Sequence, residues 1–450
     1  MGNDRKMFVF LLVCTALTVL YVRIFYLQII EGSKLAKSAS VQRYANSVIE
    51  KPRGNILDRN GIPFTNRTKK SLIVVKPLYL RGKEEEILAL CNILGIDFNK
   101  TRREIEIKKE PIVIETDDIT KDKILQSNIQ GISIINYLER YDDNLLARHV
   151  IGYLNNTDKT GEFGIEKAYE DVLKFGSNNT VGVITDAKRT PIEGLGYRLV
   201  AGVNKTKGMN VKLTLDYHIQ KIVDDVLGKS GVSGAVVVEE VCTGDIVAIS
   251  SKPDFDSKNL GQYLDSPRKE LYNRAVASYN MGSTFKIIDA AEALESNVEL
   301  DTSFFCGGSI KVGNKVFHCH KTSGHGILDL RKAFASSCNP YFIDLGIKIG
   351  RKNLLDMAVK FGLGSATGIK DQGINESSGR LQSENRVYTY GDTANLSIGQ
   401  GEVLVTPVQV ADVVATVANG GIKNRVNIVD SVVDDSGAVL KKVGMMREKE

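Results

Sequence analysis

The hydrophobic pattern opens with a long apolar segment near the N-terminus. Met7 to Val22 carries no charged residue, Arg23 interrupts the run, and Ile24 to Ile30 extends it. The uncharged part alone is short against the about 20 apolar residues that a helix needs to cross a bilayer. Arg23 is therefore predicted to extend its side chain to the membrane interface, beside Tyr21 and Tyr26. The segment therefore predicts a membrane anchor; a core helix interrupted by one charge is the alternative.

The residues on either side of this segment indicate its orientation. Arg5 and Lys6 precede it, and basic residues usually remain on the cytoplasmic side. Gln28 and Glu31 stand where a signal peptide would carry small residues before its cleavage site. We therefore expect an uncleaved anchor, with the N-terminus in the cytoplasm and almost all of the chain outside.

The region between the anchor and residue 210 mixes helical and strand-like patterns. Ser33 to Ala45 is predicted to be a helical stalk, and Asn60-Gly61 is a hairpin-turn signal. A charged helical pattern at Lys83–Leu94 alternates with strand-like runs. This mixture of helix and strand patterns predicts an α+β region. The strand-like runs are Ser71–Val75, Ile112–Ile114 and Gly131–Ile135.

The pattern of apolar residues changes at Gly234. Ala235–Glu239 and Asp245–Ser250 are β-branched apolar runs on either side of Thr243-Gly244, which predicts an antiparallel hairpin. Hairpins and strands flanked by helices predict an α+β or α/β sandwich of helices on a sheet, with the main boundary between residues 205 and 230. A strand at Lys212–Asp216 and a helix at Tyr217–Leu227 lie at that boundary; the later helical patterns are Thr284–Glu295, Leu328–Ser337, Tyr341–Ile349 and Lys352–Phe361.

Composition narrows the class of protein. The 450 residues are 42% hydrophobic and 25% charged with a net charge of +5, which is ordinary for a globular chain and gives no basic face for nucleic acid. The six cysteines form no C-x-x-C pair. Cys306 and Cys319 share a Gly-rich segment, with His318 and His320 beside Cys319, so a metal clip, a disulfide or two free thiols all remain open there.

The candidate chemistry begins at Ser283-Thr284-Phe285-Lys286. A glycine precedes this tetrapeptide and the apolar pattern of a helix follows it. Residues three apart lie on one helix face, so the Lys286 amine is expected next to the Ser283 hydroxyl. A nearby base activates a serine, and burial favours the neutral form that a lysine base needs. Ser266-Pro267-Arg268-Lys269 has the same S-x-x-K pattern, but its proline and charges predict an exposed loop.

A second element is Ser337-Cys338-Asn339, which follows a helical pattern and precedes Pro340. On a turn, the Ser337 hydroxyl and the Asn339 amide can point into one cleft. Ser337 could then relay a proton while Asn339 holds a substrate amide. An ordinary helix C-terminus is the alternative interpretation of these residues.

These two motifs, in this order, resemble the S-x-x-K and S-x-N motifs of serine penicillin-binding proteins and β-lactamases. Further stretches are similar to the class B, monofunctional penicillin-binding proteins, and the resemblance extends from the anchor to the last residues. These stretches are Arg53–Gly61, Arg148–Tyr153, Gly164–Glu166, Leu213–Asp216 with Ile219-Gln220, His325-Gly326, and Ser397–Gly401 with Thr406-Pro407.

The resemblance implies an α+β organisation in three parts. A cytoplasmic tip and transmembrane anchor would occupy residues 1–32, a pedestal of the dimerisation type residues 33–210, and a transpeptidase domain residues 211–450. It also implies a D,D-transpeptidase that cross-links peptidoglycan outside the cytoplasmic membrane and is inhibited by penicillin. Ser283 would be the nucleophile, Lys286 its base, Ser337 the proton relay and Asn339 the substrate-binding amide.

One motif departs from the family pattern. The family carries K-T-G on a strand after the S-I-G-Q-G block, but no K-[TS]-G follows Gly401 here. Lys321-Thr322-Ser323-Gly324 lies between the first two motifs and is expected in a loop. The preferred explanation is a chain that is truncated before this strand; the alternative is a natural protein that kept the fold and lost the activity.

The resemblance also implies the partners. They would be peptidoglycan stem peptides, β-lactams, the cytoplasmic membrane and a polytopic glycosyltransferase or other membrane proteins of division, elongation or sporulation. No cofactor and no nucleic acid are expected, and the reaction itself would need no metal. A non-catalytic scaffold or sensor of the wall machinery is the rival function. A β-lactamase or a D,D-carboxypeptidase is the closer rival, although neither needs the long pedestal.

Overall fold

The computed structural model describes residues 2–31, 44–50, 53–108, 111–155, 159–174, 179–184, 197–200, 209–296, 298–300, 303–381 and 387–443. The chain divides into two compact units. The first holds residues 1–52, 68–139 and 175–206, and the second holds residues 53–67, 140–174 and 207–450. The segment expected to form the pedestal thus contributes residues to both units.

The described helices are numbered here in chain order. Short helical turns accompany them at Tyr26–Ile30, Leu260–Tyr263, Gly282–Phe285 and Lys370–Gln372. The α-helices are α1 (Gly2–Phe25), α2 (Pro77–Leu80), α3 (Glu84–Leu94), α4 (Phe98–Ile107), α5 (Asp118–Ser127), α6 (Arg148–Ile151), α7 (Gly164–Ala168), α8 (Glu170–Leu173), α9 (Tyr217–Ser230), α10 (Lys286–Glu295), α11 (Leu330–Ala335), α12 (Asn339–Ile349), α13 (Arg351–Lys360), α14 (Tyr390–Ser397) and α15 (Pro407–Ala418).

The described strands are numbered in the same way. They are β1 (Tyr44–Glu50), β2 (Ile56–Leu57), β3 (Thr68–Val75), β4 (Ile112–Thr116), β5 (Ile132–Glu139), β6 (Tyr153–Leu154), β7 (Gly161–Phe163), β8 (Asn179–Ile184), β9 (Tyr197–Val200), β10 (Met209–Leu213), β11 (Gly234–Glu239), β12 (Ile246–Lys252), β13 (Tyr279–Asn280), β14 (Phe304–Cys306), β15 (Ser309–Val312), β16 (Lys315–His318), β17 (Gly326–Leu328), β18 (Leu404–Val405), β19 (Val429–Asp434) and β20 (Val439–Lys442). The α+β class predicted from the sequence is confirmed.

The first unit begins with the apolar segment. Phe10–Ile30 is long and apolar enough to cross a membrane, with 21 residues and a mean hydropathy of 2.1, and none of it is buried within the protein. The Arg23 guanidinium lies 5.6 Å from the ring centre of Tyr26, which is one of the two aromatic residues predicted to lie beside it. Full exposure of this apolar helix argues against the core-helix alternative.

Two antiparallel sheets complete the first unit, with strand orders β1-β8-β9 and β4-β3-β5. The middle strand β3 is buried from Ser71 to Val75, which explains its continuous apolar run. Leu90 of α3 and Ile105 of α4 share one core cluster with Ile73 and Val75.

The second unit contains a four-stranded sheet of order β2-β10-β19-β20 and the predicted hairpin β11–β12. Strand β12 is buried along nearly its whole length, whereas β11 is only half-buried. Among the described residues, β12 is the one strand that pairs with β11. The other edge of β11 therefore has no strand partner within the described part of the chain.

A helical layer in the second unit carries the residues of interest. Helix α10 packs against α12 and α13, and Phe285, Ile288, Phe342 and Leu354 are fully buried in that core. The four helical patterns predicted in this region are confirmed, although each begins or ends a few residues from its predicted bounds. At Thr284 the first turn is a 3₁₀ helix, and α10 begins at Lys286.

Two predictions in the N-terminal half have different outcomes. The Asn60-Gly61 turn is confirmed, because the Gly61 N–H donates to the Asp58 carbonyl and Leu57 bridges to Pro63. The helical stalk at Ser33–Ala45 lies outside the described residues except for its last two positions, which begin strand β1.

Candidate active site

Ser283 lies on a tight turn that leads into α10. Gly282 has a φ of +60°, the four residues Gly282–Phe285 form one 3₁₀ turn, and α-helical geometry begins at Lys286. Ser283 is exposed, whereas Phe285 and Lys286 are buried. The turn therefore presents the serine hydroxyl to solvent and directs the lysine side chain into the protein.

The Ser397–Gly401 block supports this turn from behind. The Gly282 N–H donates to the Gly399 carbonyl at 2.8 Å. A Cβ on Gly399, whose φ is +64°, would lie 2.1 Å from the Gly282 carbonyl oxygen. Only glycine fits at this position, so one stretch that carried the family resemblance positions the candidate nucleophile.

The Lys286 amine is the centre of the site. Its Nζ lies 3.2 Å from Ser283 Oγ, 3.0 Å from Ser337 Oγ and 2.8 Å from Asn339 Oδ1. The Ser337 carbonyl oxygen also accepts from it at 2.8 Å. Burial lowers the pKa of Lys286, because a charged ammonium loses hydration there. The structure thus brings together all four residues singled out from the sequence.

Ser337 reaches the lysine through an unusual backbone conformation. It lies between α11 and α12 with a φ of +49°, in the left-handed region that non-glycine residues seldom adopt. Pro340 lies in the first turn of α12, where a proline is well tolerated. The chain is therefore redirected at Ser337, and both its carbonyl and its hydroxyl point to the lysine amine.

This arrangement can support nucleophilic chemistry at the serine. A neutral Lys286 amine is within reach of the Ser283 proton, and the Ser337 hydroxyl is within reach of the same amine. Asn339 also donates from Nδ2 to the His318 carbonyl at 3.2 Å, which fixes its side chain. The second S-x-x-K match, Ser266–Lys269, lies in an exposed turn as predicted.

An apolar groove adjoins the serine turn. It has a volume of about 720 Å³ and is bounded by the free edge of β11, by α15 and by Thr284. Lys321-Thr322-Ser323-Gly324 lies elsewhere, in an exposed turn between β16 and β17, as the sequence predicted. The third motif of the family therefore has no counterpart among the described residues.

A group of thiols lies beside the S-x-N turn. The Sγ atoms of Cys306, Cys319 and Cys338 and a ring nitrogen of His325 all lie within 4.8 Å of one another. The three cysteines are buried, and burial raises the pKa of Cys338 to about 12. Three thiols and one imidazole form a donor set of structural zinc sites, so this group could hold a metal ion.

The sequence identified only part of this group. The sequence points to Cys306 and Cys319, with His318 and His320 beside Cys319, but it gives no signal that His325 belongs to the group. In the structure His325 Nδ1 lies 3.5 Å from Cys319 Sγ and 3.7 Å from Cys306 Sγ. Cys338 joins them because the turn after α11 folds back, which no local spacing predicts.

Comparison with known families covers most of the chain. Residues 48–213 match the model described as the penicillin-binding protein dimerisation domain. Residues 234–449 match the penicillin-binding protein transpeptidase domain.

Curated relatives extend the similarity beyond the separate domains. Stage V sporulation protein D of Bacillus subtilis is 31% identical over 438 residues, which cover 93% of this chain and 65% of that protein. Peptidoglycan D,D-transpeptidase MrdA of Acinetobacter baumannii is 28% identical over 465 residues, covering 93% of this chain and 68% of that protein. The chain thus spans about two thirds of the length of these relatives.

Solved structures show a similar fold. A structure described as "Structural coordination of polymerization and crosslinking by a peptidoglycan synthase complex" matches 99% of this chain and 82% of its own, with a TM-score of 0.69 and 24% identity. The penicillin-binding protein PBP2 of Helicobacter pylori matches 90% of this chain and 82% of its own, with a TM-score of 0.61 and 23% identity.

Proposed function

Because the chain belongs to the penicillin-binding protein family, we propose that it is a serine D,D-transpeptidase that cross-links peptidoglycan stem peptides. The observation that carries the proposal is the position of the Lys286 amine, 3.2 Å from Ser283 Oγ and 3.0 Å from Ser337 Oγ. The serine, its base and a candidate proton relay then form one continuous path.

The first half of the reaction forms an acyl-enzyme. Ser283 Oγ attacks the carbonyl carbon of the D-Ala–D-Ala bond while Lys286 accepts the hydroxyl proton. The peptide C–N bond then breaks, and the proton passes from Lys286 through Ser337 to the leaving amine of D-Ala. Asn339 binds a backbone amide of the stem peptide.

The second half transfers the acyl group. An amine from a neighbouring peptidoglycan strand attacks the ester carbonyl, and its proton returns by the same path to Ser283 Oγ. The ester C–O bond breaks and the cross-link forms. A β-lactam, which resembles the D-Ala–D-Ala unit, would stop at the acyl-enzyme because its leaving group stays attached.

The missing third motif limits the expected rate. The backbone N–H of Ser283 is one candidate donor to the oxyanion, and in the family the other donor comes from the K-T-G strand. Loss of one such donor lowers the rate by about 10²–10³ in a hydrolase. We therefore expect slow acylation of these 450 residues, detectable in a long incubation.

We propose that the remaining parts of the chain hold this site outside the membrane. We propose that residues 1–32 anchor the chain with the N-terminus in the cytoplasm, that residues 33–210 act as a pedestal, and that residues 211–450 form the transpeptidase domain outside the membrane. A membrane-embedded glycosyltransferase is the partner we propose, and the similarity of this chain to part of a peptidoglycan synthase complex supports it.

A non-catalytic scaffold remains the second candidate, since the K-T-G motif is missing from the sequence. Incubation with a fluorescent penicillin, followed by denaturing electrophoresis, separates the two. The transpeptidase proposal predicts a covalent band in the wild type that is absent in Ser283→Ala. Equal labelling of both, or no label on folded wild type after hours, contradicts it.

A further inference from the structure

The hairpin of β15 and β16 lies directly beside the proposed active site. Nδ2 of Asn339 donates to the His318 carbonyl at 3.2 Å, and Oδ1 of Asn339 accepts from Lys286 at 2.8 Å. An amide NH₂ group carries two hydrogens, so one of them remains for a ligand. A stem peptide held by Asn339 would therefore pass close to the end of β16.

One edge of β16 has no strand partner. The Cys319 N–H donates to the Gly308 carbonyl at 2.9 Å, and residues of an antiparallel pair alternate in the direction of their backbone groups. In the register of this hairpin, Val316 and His318 thus direct their N–H and C=O groups away from β15. The contact of the His318 carbonyl with Asn339 agrees with this direction. Among the described residues, β15 is the one strand that pairs with β16.

The two faces of the hairpin differ. Ile310 and Phe317 lie opposite each other and pack on the core cluster that contains Ile343 of α12. Lys311 lies opposite Val316 on the other face, where Lys311 is exposed and Val316 is 51% exposed. The core contacts therefore hold the hairpin in place, while one face and the free edge of β16 remain open to a ligand.

The surface of this segment carries positive charge. Residues 303–328 contain three lysines and no aspartate or glutamate. Lys311, Lys315 and Lys321 are all exposed, and none of them forms an ion pair with another described residue. A surface of this kind attracts an anionic ligand in preference to a neutral one.

We propose that the free edge of β16 is an extended subsite of the active site, which pairs with the part of the stem peptide that precedes D-Ala–D-Ala and favours a carboxylate there. The proposal deepens the proposed function and rests on it. The peptide backbone would accept from the N–H groups of Val316 and His318 and donate to the Val316 carbonyl, as an added strand does. Lys311 shares the exposed face with Val316 and would supply the attracting charge.

The first test compares two peptides that differ in one charge. Glu-Lys-D-Ala-D-Ala and Gln-Lys-D-Ala-D-Ala, each with fluorescein at the N-terminus, are titrated with wild type, and fluorescence anisotropy gives the affinities. Wild type should bind the glutamate peptide about threefold more tightly, and salt should reduce this preference. Lys311→Glu should abolish or reverse the preference, whereas Lys221→Glu, at an exposed position of α9, should keep it.

Equal affinity of wild type for the two peptides, or binding of neither, would overturn the proposal. Equal affinity is the result expected if the lysines only protect an edge strand from pairing with other chains.

The second test removes one backbone donor of the edge. Val316→Pro lacks the N–H that points away from β15, so the pairing within the hairpin is kept; Val316→Ala retains this donor. Val316→Pro should bind the glutamate peptide about fivefold more weakly than Val316→Ala. Circular dichroism checks that both variants are folded. Equal affinity of the two folded variants would contradict strand pairing, and if Val316→Pro does not fold, the comparison with Lys311→Glu decides.

Labelling of wild type by a fluorescent penicillin separates this proposal from the proposed function. A labelled wild type without a peptide preference overturns the β16 subsite and leaves the transpeptidase proposal standing. A folded wild type that shows the peptide preference but takes no label supports the subsite and contradicts the covalent chemistry at Ser283.

Discussion

At the residue scale, two opposed physical effects act on the protonation of the Lys286 amine. The amine is buried and surrounded by the acceptors Ser283 Oγ, Ser337 Oγ and Asn339 Oδ1, which favour the charged form. Loss of hydration is the larger effect and lowers its pKa. The site therefore holds the lysine in place through hydrogen bonds, while burial increases the fraction of neutral amine that can accept a proton.

Removal of this amine should stop acylation without unfolding the protein. We expect Lys286→Met, which keeps most of the side-chain volume, to lower the rate of penicillin acylation by about 10²–10⁴ because the serine loses its base. The rate is read from the time course of fluorescent labelling. Lys348→Met, at an exposed position of α12, serves as control and should leave the rate unchanged; a similar loss in both variants would contradict the role of Lys286.

The cluster of Cys306, Cys319, Cys338 and His325 leads to a second prediction at the residue scale. We expect the purified protein to contain about one equivalent of zinc, because three thiols and an imidazole within 4.8 Å match a tetrahedral donor set. Elemental mass spectrometry of protein purified without chelator measures it. Cys319→Ser should lose the metal, whereas Cys242→Ser, an exposed cysteine outside the group, should keep it. Zinc-free wild type with one thiol pair oxidised would contradict the prediction.

At the element scale, the decisive feature is the turn between α11 and α12. Local patterns predicted the helices on either side, because their apolar spacing is regular. They did not predict the left-handed Ser337 or the arrival of His325 and Cys338 beside Cys319. Such features depend on how distant segments pack, which a single sequence does not contain.

Because Ser337 has a positive φ, the strain of its backbone and the role of its hydroxyl can be tested separately. Ser337→Gly and Ser337→Ala both remove the hydroxyl, but only glycine accepts a φ of +49° without cost. We expect both variants to lose acylation to a similar extent, with Ser337→Gly more stable than Ser337→Ala by about 1 kcal/mol. Urea unfolding and labelling rates measure the two effects. Normal acylation in Ser337→Gly would exclude the hydroxyl as a proton relay.

At the scale of the whole molecule, a buried ion network joins distant parts of the second unit. Glu166 pairs with Arg53 at 2.8 Å and with Arg140 at 2.7 Å, and Tyr141 donates to the same carboxylate. Arg53 also pairs with Glu170. Sequence similarity at Arg53–Gly61 and Gly164–Glu166 indicated the family, but only the structure explains these stretches as one network.

Neutralising Glu166 should destabilise this unit strongly. Glu166→Gln leaves two buried guanidinium groups without their shared counter-charge, and we expect a loss of about 3–5 kcal/mol in the free energy of unfolding. Urea unfolding followed by circular dichroism measures it. Glu162→Gln, on the exposed side of β7, should change the free energy of unfolding by less than about 0.5 kcal/mol. Equal stability of the two variants would contradict a structural role for the network.

The central claim is a covalent intermediate on Ser283, and one measurement addresses it directly. The native protein, purified from its source membranes, would be incubated with a penicillin, digested and mapped by peptide mass spectrometry. The account predicts a penicilloyl adduct on the peptide that contains Ser283, and on no other serine. A folded protein that carries no adduct, or carries it elsewhere, would contradict the transpeptidase assignment and favour a scaffold.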